Sequence, residues 1–234
     1  MITPGYILIF IVFAIVSMIV GNTLKSKFRK YSKIPVNYGI SGKDVAEKML
    51  RDNGIYDVNV IPTKGNLSDH YNPATKTVAL SHEVYYGQNV SAAAVAAHEC
   101  GHAVQHANAY SMLQLRTALV PIQNVSATIL NFVFTLMFFG AFFAGNILPI
   151  DLALFIFVAC YGVFTLFALI TLPVEINASQ RALAWLGNSG VTNYGNHSQA
   201  KDALKWAAYT YVVAAIASLA MLVYFLLMLL GRRN

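Results

Sequence analysis

Ala92-Ala93-Ala94-Val95-Ala96-Ala97-His98-Glu99-Cys100-Gly101-His102-Ala103-Val104-Gln105-His106 predicts an apolar helix, since alanine is the strongest of the helix formers. On such a helix His98 and His102, four residues apart, lie one turn apart on one face, with Glu99 beside them. Two imidazoles and a carboxylate are costly in that setting unless something binds them.

The HExxH spacing suits a metal ion. Imidazoles at i and i+4 can both reach one zinc at roughly 2.0–2.1 Å, and the carboxylate after the first His then adjoins an activated water. Zinc lowers the pKa of that water toward neutrality and polarises a peptide carbonyl, while Glu99 serves as general base. The chemistry implied is metal-assisted peptide hydrolysis.

Composition assigns the chain to the membrane. It has 234 residues, 57% hydrophobic and only 11% charged, where soluble domains carry about a quarter charged. Uncharged runs extend from Ile2 to Leu24, Thr117 to Ile150, Leu152 to Val174 and Trp206 to Gly231. Each reaches the roughly 20 residues that cross a bilayer, so the expected fold is a mainly α membrane protein with four transmembrane helices. A small α+β, zincin-like cytoplasmic protease domain completes it. The second run contains Pro121, Gln123, Asn124 and Asn131 and is longer than a span requires. Its first part reads as an amphipathic extension of the HExxH helix, with the span itself running from near Val125 to near Asn146.

With four spans, 14 of the 16 Lys and Arg residues fall on the motif's side and only Arg232 and Arg233 fall on the other. The positive-inside rule then puts the motif in the cytoplasm and both termini outside. Contact with anionic lipid accounts for the net charge of +6, and no motif supports a nucleic-acid partner. The first run reads as an anchor rather than a cleavable signal, because no basic residue precedes it and Lys25-Ser26-Lys27-Phe28-Arg29-Lys30 follows directly. Cys100 and Cys160 offer no disulfide framework, fit a reducing compartment, and read as packing residues.

Between the first span and the motif, Ser41 and Asp44 form a capping-box pattern ahead of Val45, Met49 and Leu50 at helical spacing, and Gly54 ends the run. A strand over Tyr56–Pro62 should follow, then a hairpin across Asp69–Ser81, with turn residues in the middle. Thr77, Val78, Ala79 and Leu80 are the candidate substrate-binding residues. A free edge on that strand would hold an extended polypeptide by strand addition, although a strand that merely covers the helix fits the pattern equally well.

A catalytic zinc needs a third protein ligand. His106 continues the series, but the helix rises about 12 Å from His98 to His106, too far for one ion. Gln105 and Asn108 replace the Gly and His of the metzincin continuation. Of the acids after the motif, Asp151 falls on the opposite side, leaving Glu175 and Asp202. Glu175 follows Leu172-Pro173-Val174, where the third span leaves the bilayer and Pro173 is expected to begin a new helix. An acid in so apolar a setting needs a partner, and the ion supplies one; the alternative is a helix N-terminal acid favoured by the macrodipole. Arg181, Tyr194, His197 and Tyr209 follow as candidates to stabilise the oxyanion.

The stretches Asp69-His70-Tyr71-Asn72-Pro73, His98-Glu99-Cys100-Gly101-His102 and Leu172-Pro173-Val174-Glu175-Ile176-Asn177-Ala178-Ser179-Gln180-Arg181-Ala182-Leu183 together resemble the YugP-like membrane zinc metallopeptidases of bacteria. The resemblance covers nearly the whole chain. More distantly the chain is similar to the HtpX-type and CAAX-processing membrane proteases, in which a downstream Glu opening an E-x-x-A-D stretch completes HExxH. Glu175 and Ala178 match that stretch, while Ser179 stands where the Asp would be. The resemblance implies Zn2+ held by His98, His102 and Glu175, with Ser179 and Arg181 around those ligands. The resemblance implies no natural substrate; the expected substrate is a membrane-associated polypeptide, and the expected location is multi-pass in the bacterial inner membrane.

The expected organisation is an anchor at 1–24, a cytoplasmic protease segment at 25–118 and a transmembrane hairpin at 119–174. A cytoplasmic helix at 175–205 carries the third ligand, and 206–234 forms the last span and tail. Two other classes fit less well. A zinc-binding scaffold has no use for Glu99, and a transporter would place its metal site within broken spans, which are absent here. The topology predicts that Lys43→Cys, with Cys100 and Cys160 replaced, resists an impermeant thiol reagent in intact cells, while a cysteine beyond Arg233 reacts. The reverse pattern would overturn the cytoplasmic assignment.

Overall fold

The computed structural model describes residues 4–65, 67–143 and 148–232. The start of the first expected span at Ile2, the end of the second near Asn146, and Arg233 lie outside them. In chain order the elements are α1 (Pro4–Tyr31), α2 (Gly42–Asp52), β1 (Asn59–Thr63), β2 (His70–Asn72), β3 (Thr77–Ser81), the single turn α3 (His82–Tyr85), α4 (Val90–Ala107), α5 (Ser111–Phe143), α6 (Ile150–Asn188) and α7 (His197–Gly231). The protein is mostly helical, and α1, α5, α6 and α7 are long and apolar enough to cross a membrane.

The chain divides into two compact units. The first takes Met1–Met18, Leu115–Leu172 and Tyr211–Asn234. Its core sets Val133 of α5 and Ala153, Leu154 and Phe157 of α6 against Phe225 of α7. Phe157 stacks on Phe134 and tilts against Phe225, each at 4.8 Å between ring centroids. Leu8, Phe10, Phe132, Phe155 and Leu227 face outward, as lipid-facing positions do when the solvent is hydrocarbon.

The second unit comprises Ile19–Gln114 and Pro173–Thr210. α2 begins at the expected capping box: the Asp44 amide donates to Ser41 Oγ at 3.2 Å and the Ser41 amide to Asp44 Oδ2 at 2.8 Å. Its buried Val45, Ala46, Met49 and Leu50 join Val84, Val90, Ala93, Ala97, Cys100, Val104 and Leu186 in one core. Asn89 caps α4 by accepting from the Ala92 amide at 3.0 Å.

The sheet corrects the expected strand positions. β1 starts at Asn59 rather than Tyr56, because pairing begins at Asn59↔Thr77; Asp57, ahead of it, pairs through its side chain with Lys76. The expected hairpin is present, with β2 antiparallel to β3 and its turn held by Asn72 Oδ1 accepting from Ala74 and Thr75 amides. The strand order is β1-β3-β2, with β1 parallel to β3. Asp69 fastens the end of β3, accepting from the Ser81 amide at 2.7 Å and the Ser81 hydroxyl at 3.1 Å. Burial pushes the Asp69 carboxyl above the usual range against these two bonds.

Two helix boundaries also differ from expectation. The residues after the motif do not extend α4: Ala109 adopts φ +49, and the Tyr110 amide returns to Gln105 O, a closing pattern that ends the helix before α5 begins at Ser111. Nor does Pro173 start a new helix, since α6 passes through it without interruption. An internal proline costs about 3 kcal/mol. Here the following turns offset it by burying Val174, Ala178, Ala182 and Leu186, a stripe at four-residue spacing with no exposed surface. Removing the cap with Ser41→Ala should cost about 1 kcal/mol, read as a lower unfolding midpoint of the detergent-purified protein. An unchanged midpoint would mean that the box does not support α2.

Candidate metal centre

The alanine run gives α4 a narrow surface, and α6 comes close to it. A Cβ built on Gly101 would lie 2.6 Å from Ala178 O, so a side chain at the fourth position of the motif is incompatible with this approach. That contact brings the next turns of α6 onto the His pair. His98 Nε2 lies 3.2 Å and His102 Nε2 3.6 Å from the same oxygen, Glu175 Oε2. The ligand atoms of the three residues all lie within 4.8 Å of one another.

These separations fit zinc. A tetrahedral ion with bonds of 2.0–2.1 Å sets neighbouring ligand atoms roughly 3.3 Å apart. The Nδ1 atoms are engaged elsewhere, His98 Nδ1 with Ser179 Oγ at 3.1 Å and His102 Nδ1 with Gln105 Oε1 at 3.0 Å. Both Nε2 atoms therefore face one point. Burial disfavours charge on His102, but its hydrogen bond to Glu175 and the nearby Glu99 and Glu175 carboxylates outweigh burial and raise its pKa. Glu175 is 2% exposed, and lies far from either end of α6. The macrodipole alternative for this acid therefore does not apply, because the macrodipole acts only at the terminal turns.

Glu99, 8% exposed, follows His98 in α4 and supplies none of the three ligand atoms. Cys100 is fully buried with its thiol directed at Ala46 O; burial, with Glu99 nearby, pushes its pKa far up, which leaves an inert packing residue. His106 turns away from the ligand set and shares a 2.8 Å hydrogen bond with the Tyr71 hydroxyl of β2.

Other expected residues are placed differently. Ser179 Oγ lies 3.1 Å from His98 Nδ1. Arg181 reaches the ligands only indirectly, donating Nε to Asn177 Oδ1 at 2.8 Å. Tyr194 is fully exposed, His197 pairs with Thr192 Oγ1, and Tyr209 packs on Trp206. Thr77, Val78, Ala79 and Leu80 offer no edge for strand addition, because β3 is the central strand and is paired on both sides. Val78 and Leu80 also point into the core. The free edges of the sheet belong to β1 and β2. Gln105 escaped the sequence reading even though an amide on an alanine-rich helix was the available signal.

Two imidazoles and one carboxylate are a ligand set that could hold zinc, in a protein with four helices long and apolar enough to cross a membrane. The chain belongs to the family described as "Putative neutral zinc metallopeptidase", which matches residues 6–230. It is 41% identical over 211 residues, 90% of this chain and 90% of the other, to the "Putative membrane protease YugP" of Bacillus subtilis (strain 168). No solved structure matches it.

Metal analysis of purified protein should find zinc in wild type, strongly reduced in Glu175→Ala and in Gly101→Ala, whose added methyl displaces α6. Gly21→Ala, with nothing within 4 Å of the new methyl, should bind as wild type does. Undiminished zinc in Glu175→Ala would remove that residue from the ligand set.

Proposed function

We propose that the chain is an endopeptidase of the HExxH-plus-Glu type, with a zincin-like second unit that acts on membrane-associated polypeptides from the cytoplasmic side. The observation that carries this reading is the convergence of His98 Nε2 and His102 Nε2 on one Glu175 oxygen, with Glu99 buried beside them. Zinc held there supplies the Lewis acid that polarises a peptide carbonyl and lowers the pKa of the attacking water.

The side chains carry out the remaining steps. Glu99 takes the proton at its carboxylate as water attacks and delivers it to the departing amine nitrogen. Ser179 and Gln105 hold the imidazoles through Nδ1, so that Nε2 of each faces Glu175 and would be free to hold the ion. An extended substrate adds to the outer edge of β2, the strand linked to α4 through Tyr71 and His106. Thr77–Leu80 act indirectly by supporting β2 from the other side.

The sidedness rests on the distribution of Lys and Arg, which assigns segments 25–118 and 175–205 to the cytoplasm. Segments 1–24, 119–174 and 206–234 then belong to the bilayer, with both termini outside. A buried glutamate that ligates nothing disfavours a purely zinc-binding scaffold, because a structural zinc site needs no base. With a membrane-anchored model polypeptide, wild type should cleave, and chelation should stop it. Glu99→Gln should keep its zinc while slowing by about 10²–10⁴-fold. A zinc-loaded Glu99→Gln that cleaves as fast as wild type would refute the assigned base.

A further inference from the structure

Gln105 is fully buried, and each polar atom of its amide has a partner. Oε1 meets His102 Nδ1 at 3.0 Å, while Nε2 donates to Val174 O at 2.8 Å and to Asn177 Oδ1 at 3.0 Å. That same Asn177 oxygen accepts Arg181 Nε at 2.8 Å.

The direction of this chain follows from its outer end. A guanidinium only donates and a backbone carbonyl only accepts. Arg181 therefore requires Asn177 to present oxygen, and because the same atom faces Gln105, Gln105 must present its NH2 group there. Val174 O imposes the same orientation. Gln105 Oε1 is then left facing His102, which must carry a proton on Nδ1, so that Nε2 is the nitrogen left to bind an ion. His98 is held differently, since the Ser179 hydroxyl can donate or accept and imposes no direction.

We propose that Arg181, Asn177 and Gln105 form a hydrogen-bond relay that, together with Val174 O, holds His102 in its metal-binding tautomer, so that zinc affinity responds to a change three hydrogen bonds away at Arg181. These are positioning residues, and the proposal rests on the reading of His102 as a zinc ligand. Ligand-supporting partners of this kind typically change metal affinity 10–100-fold when lost.

The relay makes a prediction that simple electrostatics does not. Asn177→Asp and Arg181→Glu both make the surroundings of the ion more negative, which by charge alone tightens zinc binding. Asn177→Asp keeps an acceptor for both donors, whereas Arg181→Glu draws the Asn177 NH2 group around to face the Gln105 NH2 group. Zinc dissociation constants of the full-length protein in detergent, measured by chelator competition, should stay within about threefold of wild type for Asn177→Asp. They should weaken about 10-fold or more for Arg181→Glu and for Gln105→Leu. The visible spectrum of the cobalt-substituted protein gives a second readout, unchanged in Asn177→Asp and altered in the other two.

His102→Ala is the reference variant. If it binds zinc as tightly as wild type, the ligand reading fails and the relay with it. If zinc depends on His102 but Arg181→Glu binds as tightly as wild type or more so, the relay alone is overturned. Thermal unfolding of the metal-free variants identifies any that have failed to fold, and in that case Asn177→Asp against Asn177→Leu decides: equal affinities overturn the relay, and weakening confined to Asn177→Leu supports it.

Discussion

The buried Glu175 carboxylate is the interaction on which the second unit depends. Removing an ion from water costs several kcal/mol even after relaxation, and only close partners with good geometry offset that cost. The two imidazoles of α4 meet that requirement at 3.2 and 3.6 Å. To bring them together, α6 must approach the backbone of α4 at Gly101 and bury Val174, Ala178, Ala182 and Leu186. α6 therefore carries the third candidate ligand and, on the next turns, Ser179 and Arg181, which reach His98 and Asn177.

The groups that support the imidazoles are neutral. Where the distantly similar proteases place a carboxylate, this chain has Ser179, and on the other side Gln105. A neutral amide or hydroxyl leaves its imidazole less basic than a carboxylate partner would. A zinc ion held there would keep more of its electrophilic character, with Glu175 as the one anionic member of the candidate triad. The proposed relay would select the His102 tautomer by hydrogen-bond direction rather than by charge.

Much of this was legible in the sequence. The i, i+4 His pair, the capping box at Ser41 and the four apolar runs are local patterns, and local patterns survive folding. Glu175 could be reached by elimination because so few acids follow the motif. The misreadings involve non-local facts. Pro173 signals a helix start in isolation, yet the buried stripe beyond it carries α6 straight through. Thr77–Leu80 alternate like an edge strand, but the parallel partner β1 comes from upstream and closes the second edge, which no local pattern announces. Gln105 became interpretable only once α6 supplied Val174 O and Asn177 as its partners.

Zinc in this site would be held by two imidazoles and one carboxylate, with no sulfur although Cys100 lies inside the motif. X-ray absorption at the zinc edge of the purified protein tests it directly. Two imidazole nitrogens and oxygen donors at about 2.0–2.2 Å are expected. A sulfur shell at about 2.3 Å, or scattering from a single imidazole, would contradict it.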